Sequence, residues 1–454
     1  MPLGPEIREL HISDAPDVDA VPGPTSRRMV DEQLEREPLT TSYPRTLPMA
    51  IDEARGATIR DVDGNVFLDF FGGIGMMNVG HSNPYVLEGV HEQIDRCVQS
   101  VDFPTEARME FLDALDGIAP GALSGNSYVA IGGPTGANAV EASIKIAREH
   151  TGGDELLAFR GGYHGGSLGA LSLSSTGAYK KPYTPLLANA TFLPYPHPYA
   201  QEKPERAAVE YALRETRKTL KGPHSGVSNP AGIWVEPVQG TGGVVVPPSG
   251  FLAGLRDICD AHDVPLIVDE IQTGFGRTGR WFATEHHGVT PDVTTTAKSL
   301  GGVGFPLSAT IYDDAMDDIE AGFHGGTFRG HAAAMRACVR AIDYVRDRDL
   351  LERCREIGES MMESFRAVAD RNPQVGEVRG RGLMIGIEFV TPDGDPAPAV
   401  KRTVRTECFE RGLIVWTSGS HGHVLRLLPP LVLTRRQAER GVEIVTTAIE
   451  EATA

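Results

Sequence analysis

The stretch that decides the fold is PLIVDEIQTGFGRTGRWFATEHHGVTPDVTTTAKSLGGVGFP, residues 265–306. Its apolar run LIV at 266–268 predicts a short buried strand that ends at Asp269. A second run, VTTTA at 293–297, predicts another strand, and Lys298 follows it directly before a glycine-rich loop. Asp269 and Lys298 are therefore both expected where strands run out into loops, which is the edge of an open α/β sheet at which ligands bind.

An acid and a lysine at one sheet edge are the two groups that pyridoxal 5'-phosphate (PLP) requires from a protein. The lysine amine bonds to the cofactor and later moves a proton, while the acid keeps the pyridine nitrogen protonated. A strand-end aspartate and a loop lysine are ordinary features when they occur alone. Lysine is scarce in this chain, however, and only Lys298 follows a strand-like run and precedes a glycine-rich loop.

Both segments resemble, in register, those of the class III (ω-amino-acid) aminotransferases of PLP fold type I. DEIQTGFGRTG at 269–279 is similar to the family's aspartate segment, and KSLGG at 298–302 is similar to its lysine segment. The resemblance covers about residues 40–450 and implies an α/β, aspartate-aminotransferase-like chain with a large, mostly parallel-sheet domain and a smaller α/β domain. We expect an N-terminal arm and hairpin segment that packs with the small domain, a large PLP-binding domain and a C-terminal small domain. Their expected bounds are 1–75, 76–335 and 336–454.

A glycine loop before a predicted helix is the second informative stretch. IGGPTGANAVE at 131–141 leads into a helix with one apolar side, and a helix N-terminus offers unpaired N–H groups to a phosphate. By the resemblance, Gly136 and Ala137 hold the cofactor phosphate, and the Thr135 hydroxyl caps the helix or contacts that phosphate. The amino-acid sequence of this loop is similar to that of the 2,4-diaminobutyrate branch of the family.

The resemblance assigns further residues to the cofactor. It implies that Tyr163 stacks on the pyridine ring, that Ile271 packs against the other face, and that Thr327 donates to the phosphate across a dimer interface. A homodimer or a larger assembly with shared active sites follows from that last role. The other cofactor-binding residues that the resemblance implies are His164, Glu236 and Gln272.

Substrate recognition is expected to rest on Arg426, because a guanidinium holds a carboxylate through two hydrogen bonds. Many members that use 2-oxoglutarate carry a glutamate where this chain has Thr241, and that glutamate pairs with the arginine when a neutral or amino-bearing substrate end is bound. The acceptor and the switching mechanism therefore stay open at this point. Ile74 is the third expected substrate contact, in a glycine-rich turn at 71–76 that in the family reaches the neighbouring subunit's active site.

The resemblance implies a PLP-dependent aminotransferase (transaminase) that moves the ω-amino group of 2,4-diaminobutyrate to 2-oxoglutarate. Within the same class, 4-aminobutyrate is the alternative donor, because both compounds carry an amine at C4. In another class, a PLP-dependent amino-acid racemase or epimerase shares the same aspartate and lysine. An isomerase needs no acceptor acid, so the fate of the amine separates these two classes.

Composition argues against several other functions. The formal net charge of −18 disfavours nucleic acid as a partner, and no apolar segment approaches the length of a membrane span. The first residues are charged rather than apolar, which predicts no signal peptide, and residues 1–40 are expected to be a poorly ordered arm. Five scattered cysteines without CxxC spacing favour a reduced, cytoplasmic protein without a metal site.

Several elements outside the site can also be predicted. The turn Asp63-Gly64-Asn65 between two apolar runs indicates a hairpin. Buried strands are expected at 156–159 and 231–235, and long helices are expected to begin near His331 and Leu350. The apolar stripe of the last helix is read as core.

Overall fold

The computed structural model describes residues 4–187, 189–222 and 224–454 as an α/β protein with three sheets. The strands are β1 Ile51–Arg55, β2 Thr58–Asp61, β3 Val66–Asp69, β4 Ser127–Gly133, β5 Glu155–Phe159, β6 Ala190–Leu193, β7 Pro230–Val235, β8 Leu266–Asp269, β9 Val293–Thr296, β10 Ser308–Asp313, β11 Val375–Arg381, β12 Met384–Phe389, β13 Leu413–Ile414, β14 Trp416–Ser418 and β15 Val424–Leu427. The helices are α1 Pro24–Arg36, α2 Gly72–Gly75, α3 Pro84–Arg96, α4 Glu106–Asp116, α5 Gly136–Thr151, α6 Leu168–Leu173, α7 Gly177–Lys180, α8 Pro198–Gln201, α9 Glu205–Lys221, α10 Phe251–His262, α11 Ala332–Asp347, α12 Leu350–Ala369, α13 Pro398–Glu410 and α14 Arg435–Thr453.

The largest sheet has seven strands in the order β4-β10-β9-β8-β7-β5-β6. Strands β9, β8, β7, β5 and β6 pair in parallel, whereas β10 is antiparallel to both of its neighbours. Every residue of β5, β8 and β9 is buried, which explains why their sequences are continuous apolar or β-branched runs. The predicted mostly parallel sheet is confirmed, and its carboxyl edge carries the site.

Two four-stranded sheets accompany the large one. The first has the order β1-β2-β3-β13, and it contains the predicted hairpin, in which β2 and β3 pair antiparallel around Gly64 at φ +92°. The second, β11-β12-β15-β14, is antiparallel throughout. The predicted stripe of α12 is buried in a core that also contains residues of α11, α14 and both small sheets.

The prediction of a poorly ordered arm over residues 1–40 is wrong for the part that the structure describes. Residues 24–36 form α1, and Leu10 is buried in the main core. The backbone N–H groups of Thr25 and Ser26 donate to the Asp63 carboxylate at 2.9 and 2.7 Å. The hairpin turn thus caps α1 with an acid, and the segment is ordered by contacts that are remote in sequence. Among the described helices, none has the length and apolar character needed to cross a membrane.

Candidate active site

A cavity of about 580 Å³ lies at the carboxyl ends of the parallel strands. Asp269 is the last residue of β8, Glu236 follows β7 directly, and Lys298 lies two residues beyond β9. A small sheet and a short helix complete the walls, because Arg426 comes from β15 and Ile74 from α2. The predicted site residues that line this cavity are Ile74, Thr135, Gly136, Ala137, Tyr163, His164, Glu236, Thr241, Asp269, Ile271, Gln272, Lys298 and Arg426.

Asp269 is held at the cavity floor by two hydrogen bonds. Its Oδ2 lies 2.7 Å from Nδ1 of His164, and its Oδ1 accepts from the backbone N–H of Ile271 at 3.1 Å. Burial lowers the pKa of His164, but the hydrogen bond and the negative charge of Asp269 outweigh that effect, so the pKa is raised above its ordinary value. The two hydrogen bonds therefore hold the Asp269 side chain in a fixed orientation, and His164 acts as the structural hydrogen-bonding residue.

Lys298 begins a short 3₁₀ turn with a backbone φ of +49°, a conformation that non-glycine residues adopt rarely. The next residue anchors the turn, since the Ser299 hydroxyl donates to the carbonyl of Gly75 at 2.9 Å. Burial lowers the pKa of Lys298 from 10.5 to about 8, with Arg426 also lowering it and Asp269 opposing the shift. A buried amine with this pKa has a large neutral fraction near pH 8, and only the neutral amine is a nucleophile or a base.

The phosphate end of the cavity is formed by the start of α5. Thr135 caps the helix in a reciprocal capping box with Asn138. The N–H groups of Gly136 and Ala137 lie in the first turn, where no acceptor exists within the helix. A Cβ on Gly136 would lie 2.9 Å from Cδ1 of Ile271, so glycine leaves room between the helix and the opposite wall.

Glu236 is a buried carboxylate of the cavity that is held by two backbone N–H groups. Its two carboxylate oxygens accept from the N–H groups of Tyr163 and Gly240 at 2.9 and 3.0 Å. Burial raises the pKa of Glu236 to about 7, although the positive charge of His164 opposes that shift. Glu236 therefore fixes the loop that presents the Tyr163 ring.

Arg426 supplies a buried positive charge to the opposite wall, with 4% of its surface exposed. Burial lowers its pKa to about 10, so the guanidinium is still charged near neutral pH. Its Nη1 donates to Oε1 of Gln272 at 3.2 Å, and Nε2 of Gln272 donates to the Ile74 carbonyl at 3.4 Å. Ile74 thus lies against the cavity of its own chain, whereas the resemblance placed its turn at the neighbouring subunit's site.

An aromatic group on the substrate side is absent from the residues predicted from sequence. Tyr43, Tyr179, Trp416 and Thr417 also line the cavity. The ring centroids of Tyr43 and Trp416 are 4.9 Å apart, and Tyr179 packs edge-on against Tyr163 at 5.5 Å. Nothing in the local sequence marks these residues, because three separate parts of the chain bring them together.

Thr327 is the one predicted site residue that does not line the cavity. It opens a 3₁₀ turn at 327–330 and is exposed, as is the neighbouring Phe328. Its predicted contact with a phosphate would require the second subunit that the resemblance implies. Its role therefore stays a prediction.

A possible cation site lies outside the cavity and is empty. His197, Glu377 and Glu388 bring three potential metal-binding atoms together. Both carboxylates are already paired, because Nη1 of Arg379 lies 2.5 Å from Glu377 and 2.6 Å from Glu388. The guanidinium offsets part of the negative charge that would hold a metal ion.

The residues of the cavity fit PLP. The buried amine of Lys298 suits its aldehyde, and the Asp269 side chain, oriented by His164, suits its pyridine nitrogen. The start of α5, with free N–H groups and a glycine that leaves space beside Ile271, suits its phosphate.

Comparisons with known proteins agree with this geometry. The family described as "Aminotransferase class-III" matches residues 41–449. A diaminobutyrate–2-oxoglutarate aminotransferase of Rhizobium meliloti (strain 1021) is 36% identical over 435 residues, which cover 93% of this chain and 92% of the relative. An alanine/serine racemase of Pyrococcus horikoshii is 33% identical over 444 residues, covering 95% and 91%. The crystal structure of an (S)-enantioselective omega-transaminase from Thermomicrobium roseum has a TM-score of 0.84 at 28% identity and covers 93% of this chain and 99% of that one.

Proposed function

The chain belongs to the class III aminotransferase family, whose members are PLP-dependent transaminases, and we propose that it moves the ω-amino group of 2,4-diaminobutyrate to 2-oxoglutarate. The observation that carries the proposal is the placement of Lys298, Asp269 and Arg426 around one cavity. The substrate pair is supported by the relatives, since those of Rhizobium meliloti and Nocardia farcinica are diaminobutyrate–2-oxoglutarate aminotransferases at 36% and 37% identity.

Each residue has a separate task in this proposal. Bound PLP supplies an electron sink for the bond that breaks at the substrate carbon. The Lys298 amine would hold the cofactor and would take the proton from the amine-bearing carbon of the substrate. Asp269 would stabilise the positive charge of the pyridine nitrogen, and the N–H groups of Gly136 and Ala137 would hold the phosphate. Tyr163 and Ile271 would contact the ring.

Arg426 binds a substrate carboxylate on the opposite side of the cavity. Its buried guanidinium is charged, and its fork geometry matches a carboxylate. Tyr43, Tyr179 and Trp416 line the same cavity and offer ring surface to the carbon chain of the substrate.

We also propose a homodimer in which Thr327 serves the partner's cofactor phosphate. An exposed apolar patch surrounds this turn, formed by Val101, Phe103, Met109 and Phe328, with Phe103 77% and Phe328 64% exposed. A salt bridge from Arg329 to Asp102 and a hydrogen bond from Arg108 to the Arg329 carbonyl at 3.1 Å hold the two segments of the patch together. A second copy covering this patch would remove its apolar surface from water.

We also propose three domains, with the bounds 1–75, 76–335 and 336–454, and a cytoplasmic location. The packing of the N-terminal segment with the C-terminal domain is supported by β13, a strand of the C-terminal segment that pairs with β3 of the N-terminal segment. The cytoplasmic location is supported by the five cysteines, which are all free.

A racemase is the second candidate, because the Pyrococcus horikoshii relative carries that activity at similar identity. The test is to incubate the holoenzyme with 2,4-diaminobutyrate and 2-oxoglutarate and to quantify glutamate. Formation of glutamate in equal amount to the donor consumed supports the transaminase. Loss of donor chirality with no glutamate would refute it, and 4-aminobutyrate serves as the competing donor.

A further inference from the structure

Arg426 is a buried cation that pairs with no carboxylate among the described residues. Among residues 4–187, 189–222 and 224–454, its side chain has one hydrogen-bond acceptor, Oε1 of Gln272, and its buried Nε has none. No ion pair of Arg426 occurs within the same ranges. An unpaired buried charge is costly, so the cavity retains a strong demand for an anion.

The carboxylates of the cavity are engaged elsewhere. Glu236 accepts from the N–H groups of Tyr163 and Gly240, and Asp269 is bound to His164. Thr241, which lines the same cavity, carries no charge. Its carbonyl accepts from the Gly419 N–H at 3.0 Å, which ties it to the turn that leads into the strand of Arg426.

Gln272 is fixed in position by its surroundings. A Cβ on Gly240 would lie 1.9 Å from Oε1 of Gln272, so the amide packs directly on the glycine backbone. On its other side Nε2 reaches the carbonyl of Ile74. The amide oxygen is therefore aimed at Arg426 by packing on one end and a hydrogen bond on the other.

We propose that Gln272 is a positioning residue that holds Arg426 as an uncharged partner, so that the guanidinium is free to bind a substrate carboxylate in both half-reactions. This rests on the proposed transaminase function. The resemblance implies that a glutamate at position 241 forms an ion pair with the arginine, which each incoming carboxylate must break. The bond to an amide is weaker and is exchanged without loss of a counter-charge.

Specificity follows from this arrangement. Because no carboxylate of the described residues forms an ion pair with it, Arg426 favours substrates that bring a carboxylate, namely 2-oxo acids and amino acids, over amines that lack one. An incoming carboxylate therefore has no ion pair among these residues to break.

The test adds a carboxylate to the cavity that Arg426 lines and measures binding of glutarate, a dicarboxylate without an oxo group. Thr241→Glu is compared with Thr241→Gln, which has the same bulk and no charge, and Gln272→Glu is compared with the wild type. In the holoenzyme, titrated calorimetrically, the dissociation constant of glutarate is expected to rise at least tenfold in Thr241→Glu relative to Thr241→Gln, which equals about 1.4 kcal/mol. Gln272→Glu is expected to shift it in the same direction.

The kinetic split provides a second readout. In Thr241→Glu the KM for 2-oxoglutarate should rise at least tenfold while kcat changes less than threefold, a pattern that general loss of structure would not give. Equal glutarate affinity in Thr241→Glu and Thr241→Gln would overturn the inference. Glutarate binding needs no turnover, so this test does not depend on which amine donor the enzyme uses.

Discussion

The lowered pKa of Lys298 gives a quantitative prediction for cofactor capture. At a pKa of about 8, about 9% of the amine is neutral at pH 7, compared with about 0.03% for an ordinary lysine at 10.5. The ratio of neutral fractions is therefore about 300 at pH 7 and about 30 at pH 9. If the neutral amine attacks PLP, the advantage of Lys298 over a free lysine should fall about tenfold between these two pH values.

The assay is reconstitution of the apoenzyme with PLP, followed by absorbance in a stopped-flow instrument. Capture of PLP by Nα-acetyl-lysine is measured at each pH, because PLP itself titrates and this effect cancels in the ratio of the two rates. A ratio that is constant from pH 7 to 10 would refute the reasoning, since it would mean that Lys298 titrates like an exposed lysine.

Two variants locate the source of this shift. Asp269 raises the pKa of Lys298 and Arg426 lowers it, with burial as the largest effect. The inflection in the reconstitution rate should therefore move below 8 in Asp269→Asn and above 8 in Arg426→Met. Movement of both inflections in the same direction would contradict the electrostatic explanation.

Three other outcomes are expected. Asp269→Asn should retain PLP, seen by its absorbance, but lower kcat by about 10³, or about 4 kcal/mol, because an uncharged amide no longer stabilises the protonated pyridine nitrogen; near-normal kcat would exclude this role. Phe103→Asp should shift the protein from dimer to monomer in sedimentation, with the exposed Met29→Asp as control; an unchanged dimer would exclude the patch as interface. Burial raises the pKa of Glu270 to about 7 from 4.5, so folding stability is lost as pH rises between these values, on the order of 3 kcal/mol in total. Glu270→Gln should remove that pH dependence of the unfolding free energy, and an unchanged dependence would contradict it.

The polar floor of the site could be predicted from sequence because its signals are local. Asp269 and Lys298 each follow a buried apolar or β-branched run, and the carboxyl ends of parallel strands meet at one edge. Gly136 follows the same logic at the start of a helix. These positions can be predicted from the pattern of strands and helices alone, and that pattern is visible in short stretches of sequence.

The aromatic wall and the N-terminal segment could not be predicted in this way. Tyr43, Tyr179 and Trp416 come together only through tertiary packing, and each reads as an ordinary core or loop residue in its own window. Residues 24–36 look polar and disordered because their order depends on Asp63, which lies about 38 positions away. The partner of Arg426 also required the structure, since Gln272 is 154 residues distant in the chain.

The most direct test of the central claim is the first half-reaction, performed without an acceptor. Purified holoenzyme is mixed in turn with 2,4-diaminobutyrate, 4-aminobutyrate, ornithine and alanine, and the absorbance of the bound cofactor is followed, with Lys298→Ala as the control that should not respond. We predict conversion of the cofactor to its amine form fastest with 2,4-diaminobutyrate, and one equivalent of glutamate when 2-oxoglutarate is then added. If no donor converts the cofactor and one of them loses its chirality, the enzyme is a racemase and the transaminase account is wrong.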